Sequence, residues 1–179
     1  MLKSKELRGI NVVNIENGRL IGKVKNTIYS FRQELIMGFS IYSGRWVKKD
    51  IFIPINDIEI IGRDVILANK PEKLQCINKN QEVINAIKEI DRVFSMNVIT
   101  NKGEEIGHIE DVIISEEKFK IGGYIISDGF VEDIIKGKLI IPFSEKIIFG
   151  ENDVIIDSNY KNIVLKNDIS LKKIFKEEV

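Results

Sequence analysis

One feature constrains this chain more than any other: it says the same thing twice. "GINVVNIENGRLIGKVKNTIYS" at 9–30 lines up with "SMNVITNKGEEIGHIEDVIIS" at 95–115. Gly18 and Gly22 fall on Gly103 and Gly107, an offset of 85, and Ile36 and Gly38 fall on Ile121 and Gly123 at the same offset. Further on, "IFIPINDIEIIGRDVIL" at 51–67 lines up with "LIIPFSEKIIFGENDVII" at 139–156. There Pro54 and Gly62 fall on Pro142 and Gly150, an offset of 88. The second copy therefore holds its extra residues within "SDGFVEDIIKGK". Landmarks in one order in both halves identify a tandem duplication, so each copy takes the same fold.

Each copy reads as short apolar runs separated by turns. Val12 to Ile15 and Arg19 to Phe31 flank Asn17-Gly18. Asn-Gly between apolar runs predicts a type I′ hairpin, whose two central residues both take positive φ. Lys102-Gly103 is a weaker version of that turn. Leu35 to Tyr42, Trp46 to Ile55 and Asp64 to Leu67 supply further strands. The abundant isoleucines favour strands, because β-branched side chains suit a pleated, half-buried surface. Five or six such strands left open would have two long edges; closing them into a small barrel buries the apolar face and removes the edges. In this frame Gly18 and Gly103 make tight bends, Gly22 and Gly107 mark where a strand curves, and Pro54 and Pro142 mark equivalent strand ends.

Between the copies, "NKNQEVINAIKEIDRVF" has apolar residues at 83, 84, 87, 90 and 94, which is helical spacing. Asn78 with Gln81 has the form of a capping box ahead of it. The tail "NDISLKKIFKEEV" is predicted as a short helix, with Asp168 as cap and Leu171, Ile174 and Phe175 on one side. The expected organisation is a first barrel over 1–70, a helical linker over 71–93, a second barrel over 94–157 and a tail over 158–179. The fold class is mainly all-β: two small barrels in tandem.

The repeated "GRLIGKVKNTIYS" and "GEEIGHIEDVIIS", each followed by an Ile-Pro element and then "IGRDVIL" or "FGENDVII", resemble PRC-barrel domains. "IISDGFVEDIIKGKLIIPFSEKIIFGENDVII" is similar to the second repeat of tandem PRC-barrel proteins of Gram-positive bacteria, some linked to sporulation. The resemblance covers residues 7–68 and 94–157. It implies an adaptor. Related barrels form the cytoplasmic domain of the photosynthetic reaction-centre H subunit, and half of a ribosome maturation factor that engages a ribosomal protein. This chain lacks the membrane helix of the first and the N-terminal domain of the second, so neither specific role transfers.

The residues themselves argue against chemistry. A P-loop needs Lys then Ser or Thr after its last glycine, opening a helix. Gly22 is followed by Lys23 and Val24, and Gly107 by His108 and Ile109, both in strand patterns. His108 is the single histidine and Cys76 the single cysteine, which leaves neither a triad base nor a zinc ligand set. The lone cysteine also excludes an internal disulfide framework. Asp111 stands where the first copy has Asn26. Because Asn cannot titrate, the pair points to a polar group tying down a β-bulge or turn. Glu104–Glu105 and Glu116–Glu117 read as solvated turn charges. No catalytic, cofactor or metal residues are assigned.

Partner binding is expected in two loops. "SGRWVKK" places the only tryptophan, Trp46, among Arg45, Lys48 and Lys49, and its counterpart offers Phe130 with Asp128, Glu132 and Asp133. Charge follows the same division: residues 1–70 hold 12 Lys/Arg and 7 Asp/Glu, residues 94–157 hold 6 and 13. A protein partner is expected, with RNA on the basic first barrel as the alternative, and a homo-oligomer is compatible with both. The polar "MLKSKELRG" start and the absence of a long apolar run predict a cytoplasmic protein without membrane insertion.

Overall fold

The computed structural model describes residues 2–42, 51–69, 75–115, 119–127, 139–144 and 146–159. They form two compact units, residues 2–90 with 119–120 and residues 91–115 with 121–159. In the first lie β1 (Leu2–Lys3), β2 (Asn11–Asn14), β3 (Leu20–Ser30), β4 (Leu35–Tyr42), β5 (Ile51–Pro54), β6 (Ile58–Ile61), β7 (Val65–Ala68) and β8 (Gln75–Cys76). Helix α1 (Gln81–Phe94) follows. The second contains β9 (Asn97–Thr100), β10 (Glu105–Ser115), β11 (Lys120–Ser127), β12 (Leu139–Pro142), β13 (Ile148–Phe149) and β14 (Asp153–Ile156).

In the first unit the hydrogen-bonded order is β5-β4-β3-β2-β7-β6. All neighbours are antiparallel except β2 and β7, which run parallel. The two ends of this ribbon are joined by one 3₁₀ turn, Ile55–Asp57, which carries β5 into β6. The sheet therefore curls back on itself. Bulges assist the curl: in the β3–β4 ladder the register slips between Val24 and Asn26 and again between Ile28 and Tyr29. An extra residue in one strand bends it and increases its twist. The inward positions, Val12, Val24, Ile36, Phe39, Ile41, Ile53 and Ile66, are buried. Each such side chain stabilises by about 1.5–3 kcal/mol relative to exposure.

The second unit repeats this pairing by pairing. Val12 faces Gly22 and Val13 faces Leu20 in the first; Val98 faces Gly107 and Ile99 faces Glu105 in the second. The parallel pair Val12↔Ile66 is matched by Val98↔Val154. Gly38↔Pro54 is matched by Gly123↔Pro142, and Ile60↔Leu67 by Ile148↔Ile155. Its core is Val98, Ile109, Val112, Ile113, Tyr124, Ile125 and Val154. The strand between β5 and β7, which the sequence does not separate from its neighbours, is β6, and β13 is its counterpart.

The expected type I′ turn does not form. Gly18 has φ of 67°, but Asn17 is not in the left-handed region. Instead the N–H of Gly18 donates to the carbonyl of Asn14 across four residues, at 2.9 Å. In the second copy Gly103 (φ 80°) donates to Thr100 across three. That one-residue difference is why the strands before the turn align at an offset of 86 and the glycines at 85. Each turn is pinned by a buried polar side chain. Asn14 Oδ1 accepts from the N–H of Glu16, and Thr100 Oγ1 accepts from those of Lys102 and Glu104.

Helix α1 lays Val83 and Ala86 against Ile28 and Phe52 of the first barrel, with Met37, Ile77, Ile87 and Ile90 around them. The apolar stripe is thus core, as its spacing implies. Its cap is Asn80, not Asn78: Asn80 Oδ1 accepts from the N–H of Val83 at 3.1 Å. Asn78 lies in the preceding 3₁₀ turn, Ile77–Lys79.

Candidate partner-binding surface

Two connections leave the barrels at equivalent places. One joins β4 to β5 beyond the pair Ile41↔Ile51; the other joins β11 to β12 beyond Ile126↔Leu139. These connections contain the residues expected to contact a partner: Arg45, Trp46, Lys48 and Lys49 in the first, Phe130, Glu132 and Asp133 in the second. All seven lie outside the described residues, as does the tail from residue 160.

The hairpins that carry the two connections have a fixed geometry. At Gly38 (φ 150°) a Cβ would collide with the carbonyl oxygen of Ile53 and with the Phe52 ring. At Gly123 a Cβ would lie 2.6 Å from the carbonyl oxygen of Ile141. Strands β4 and β5, and β11 and β12, thus approach more closely than a side chain permits. Pro54 and Pro142 stand opposite these glycines. Gly22 and Gly107 stand beside the register slip of the first hairpin in each copy, and at Gly22 a Cβ would meet the Ile41 side chain and the carbonyl of Tyr42.

The titratable candidates are dispersed. Asp111 is buried, and its Oδ1 accepts from the N–H of Val112 at 2.8 Å. In the first copy the backbone of Asn26 is tied across the ladder by Ser40, whose Oγ accepts from the Asn26 N–H at 3.0 Å. Asn26 stands at the register slip that follows Val24. His108 is exposed on β10, opposite Asn97. Cys76 is half-buried on β8, opposite Ile51. Among the described residues no three His, Cys, Asp or Glu side chains gather as a metal site. An open cleft of about 430 Å³ in the second unit is lined mainly by Ile140, Pro142, Phe143, Ile147 and Ile156, with Lys146 and Asp157 at its polar side.

A surface that sequence reasoning missed lies on the outer face of both barrels. Direct pairing aligns Leu20, Val13, Leu67 and Ile60 in one row across β3, β2, β7 and β6. Paired residues on adjacent strands share a face. Leu20 is 61% exposed and Ile60 51%, so this face points to solvent. The second barrel has the same row as Glu105, Ile99, Ile155 and Ile148, with Ile148 58% exposed. The available signal was an apolar residue at the row position of each strand, Val13 in "NVV", Leu67 in "VIL", Ile99 in "NVI" and Ile155 in "VII", which alternation alone does not assign to a side.

No helix among the described residues is long and apolar enough to cross a membrane. A family model for the PRC-barrel domain matches the chain twice, over residues 1–75 and 87–163. No curated protein matches the chain.

Proposed function

Because this chain belongs to the PRC-barrel family and carries the domain twice in tandem, we propose that it is an adaptor that catalyses nothing and binds another protein through the β4–β5 and β11–β12 loops. PRC-barrel domains are protein-interaction modules, which supports the general role. The observation that carries the specific one is the equivalence of the two loop anchors, Ile41↔Ile51 and Ile126↔Leu139. From identical frames spring loops of different length and charge: Arg45, Trp46, Lys48 and Lys49 in one, Phe130, Glu132 and Asp133 in the other. Loops positioned by a rigid scaffold are where binding residues concentrate, and Trp and Arg lead among binding hot spots. The proposed setting is the bacterial cytoplasm, in sporulation or ribosome-related assembly.

The test is affinity capture from the native cells with three baits: the natural chain, Arg45→Glu/Lys48→Glu, and Phe130→Ala/Glu132→Lys. A protein retained by the natural chain and lost from either loop variant is the expected outcome. Retention by both variants at natural levels refutes the loop assignment. Recovery of RNA instead, with an affinity that falls steeply with salt and is lost in Arg45→Glu/Lys48→Glu, replaces the adaptor with a nucleic-acid binder.

A further inference from the structure

The two copies of the outer row differ in charge, as the two loops do. Beside the first row lies a second set of paired outward positions, Lys23, Asn11 and Val65. Its counterpart on the second barrel is His108, Asn97 and Asp153. Thus Val65 is exchanged for Asp153, Lys23 for His108, and in the apolar row itself Leu20 for Glu105. Arg19, exposed, precedes Leu20. The first face is an apolar stripe edged by Arg19 and Lys23; the second is an apolar stripe edged by Glu105 and Asp153. Of the other exposed charges in the same segments, Glu16, Glu59, Arg63 and Asp64 belong to the first copy and Lys102, Glu104, Lys146 and Glu151 to the second.

We propose that the first face of one copy docks on the second face of another copy of this chain. Three observations select this occupant. The stripes are alike in shape, three apolar positions at matched register plus one more on the first barrel. Exposed apolar side chains in a contiguous row mark interaction surfaces. Pairing two first faces sets Arg19 and Lys23 against each other, and pairing two second faces does the same to Glu105 and Asp153, whereas first against second sets cations opposite carboxylates. Like-signed contacts carry a penalty that the mixed pairing avoids. Such a contact joins two different patches, so the pair keeps one free face of each kind, one on each copy, and association continues into rings or open chains.

Sedimentation velocity on the full chain at low salt, up to about 100 µM, a range in which small interfaces are populated, reads the outcome. The natural chain is expected to grow in mass with concentration past the dimer. Ile60→Glu, at a position exposed enough to spare the fold, is expected to weaken association about tenfold or more, as are Lys23→Glu and Glu105→Lys singly. The Lys23→Glu/Glu105→Lys double variant restores it, because both faces then change sign together. A 1:1 mixture of the two single variants also associates. A natural chain that stays monomeric across the range overturns the proposal. So does a Lys23→Glu variant that abolishes association while Glu105→Lys is silent, since that is the signature of first faces pairing with each other.

Discussion

Thr27 sits in the interior of the first barrel, 5% exposed, and its Oγ1 has no hydrogen-bond partner among the described residues. It pairs with Phe39 on β4. The corresponding residue of the second copy is Val112, fully buried. The equivalent strand position thus accepts an isosteric methyl. Burying a hydroxyl without a partner costs about 1–3 kcal/mol by protein mutational measures. Thr27→Val removes that cost and adds apolar surface, so the first barrel is expected to gain about 1–3 kcal/mol. Thermal unfolding followed by circular dichroism converts this to roughly 2–4 °C per kcal/mol for a chain of this size. Urea unfolding should show a higher midpoint at unchanged slope. The reciprocal change, Val112→Thr, should lose a similar amount. If Thr27→Val is destabilising by 1 kcal/mol or more, on the scale of a lost hydrogen bond, the hydroxyl has a partner and the inference from the repeat is wrong.

Two glycines separate backbone strain from crowding. At Gly18 a Cβ would meet nothing within 4 Å, so Gly18→Ala should cost only the left-handed conformation, about 1–2 kcal/mol in urea unfolding. Gly38→Ala adds a collision with the Ile53 carbonyl and should cost well over ~3 kcal/mol, seen as loss of the folded first barrel in proton NMR dispersion. Asn80→Ala removes the cap on Val83 and should lower stability by about 1 kcal/mol, while Asn78→Ala stays near neutral, as calorimetry can show.

Much of the architecture was legible because duplication checks itself. Gly38 and Pro54 mean little alone; their echoes at Gly123 and Pro142 mark them as repeated landmarks, and the structure sets each glycine opposite its proline. The helix was legible because Val83, Ile87 and Ile90 keep one spacing. What escaped was decided by geometry over two or three residues. Asn17-Gly18 has the composition of a two-residue turn, yet the chain spends four residues there because Asn14 turns its amide inward to hold Glu16. Asn80 wins the cap because the preceding residues wind into a 3₁₀ turn. The outer row was hidden because strands such as "IEII" and "DVII" are apolar on both faces, and a period of two cannot then tell inside from outside.

The matched registers have a kinetic consequence. Each barrel is completed by a parallel pairing between its first strand and one more than fifty residues later, Val12 with Ile66 and Val98 with Val154. Such distant pairings form late. While they are pending, two nearly interchangeable closing segments, "VILA" and "DVII", wait for two nearly interchangeable seats, and exchange between repeats is a characteristic misfolding route of duplicated chains. Asn11 and Asn97 stand opposite Val65 and Asp153, so at that position both seats present the same residue and a nascent barrel cannot there tell its own last strand from its neighbour's.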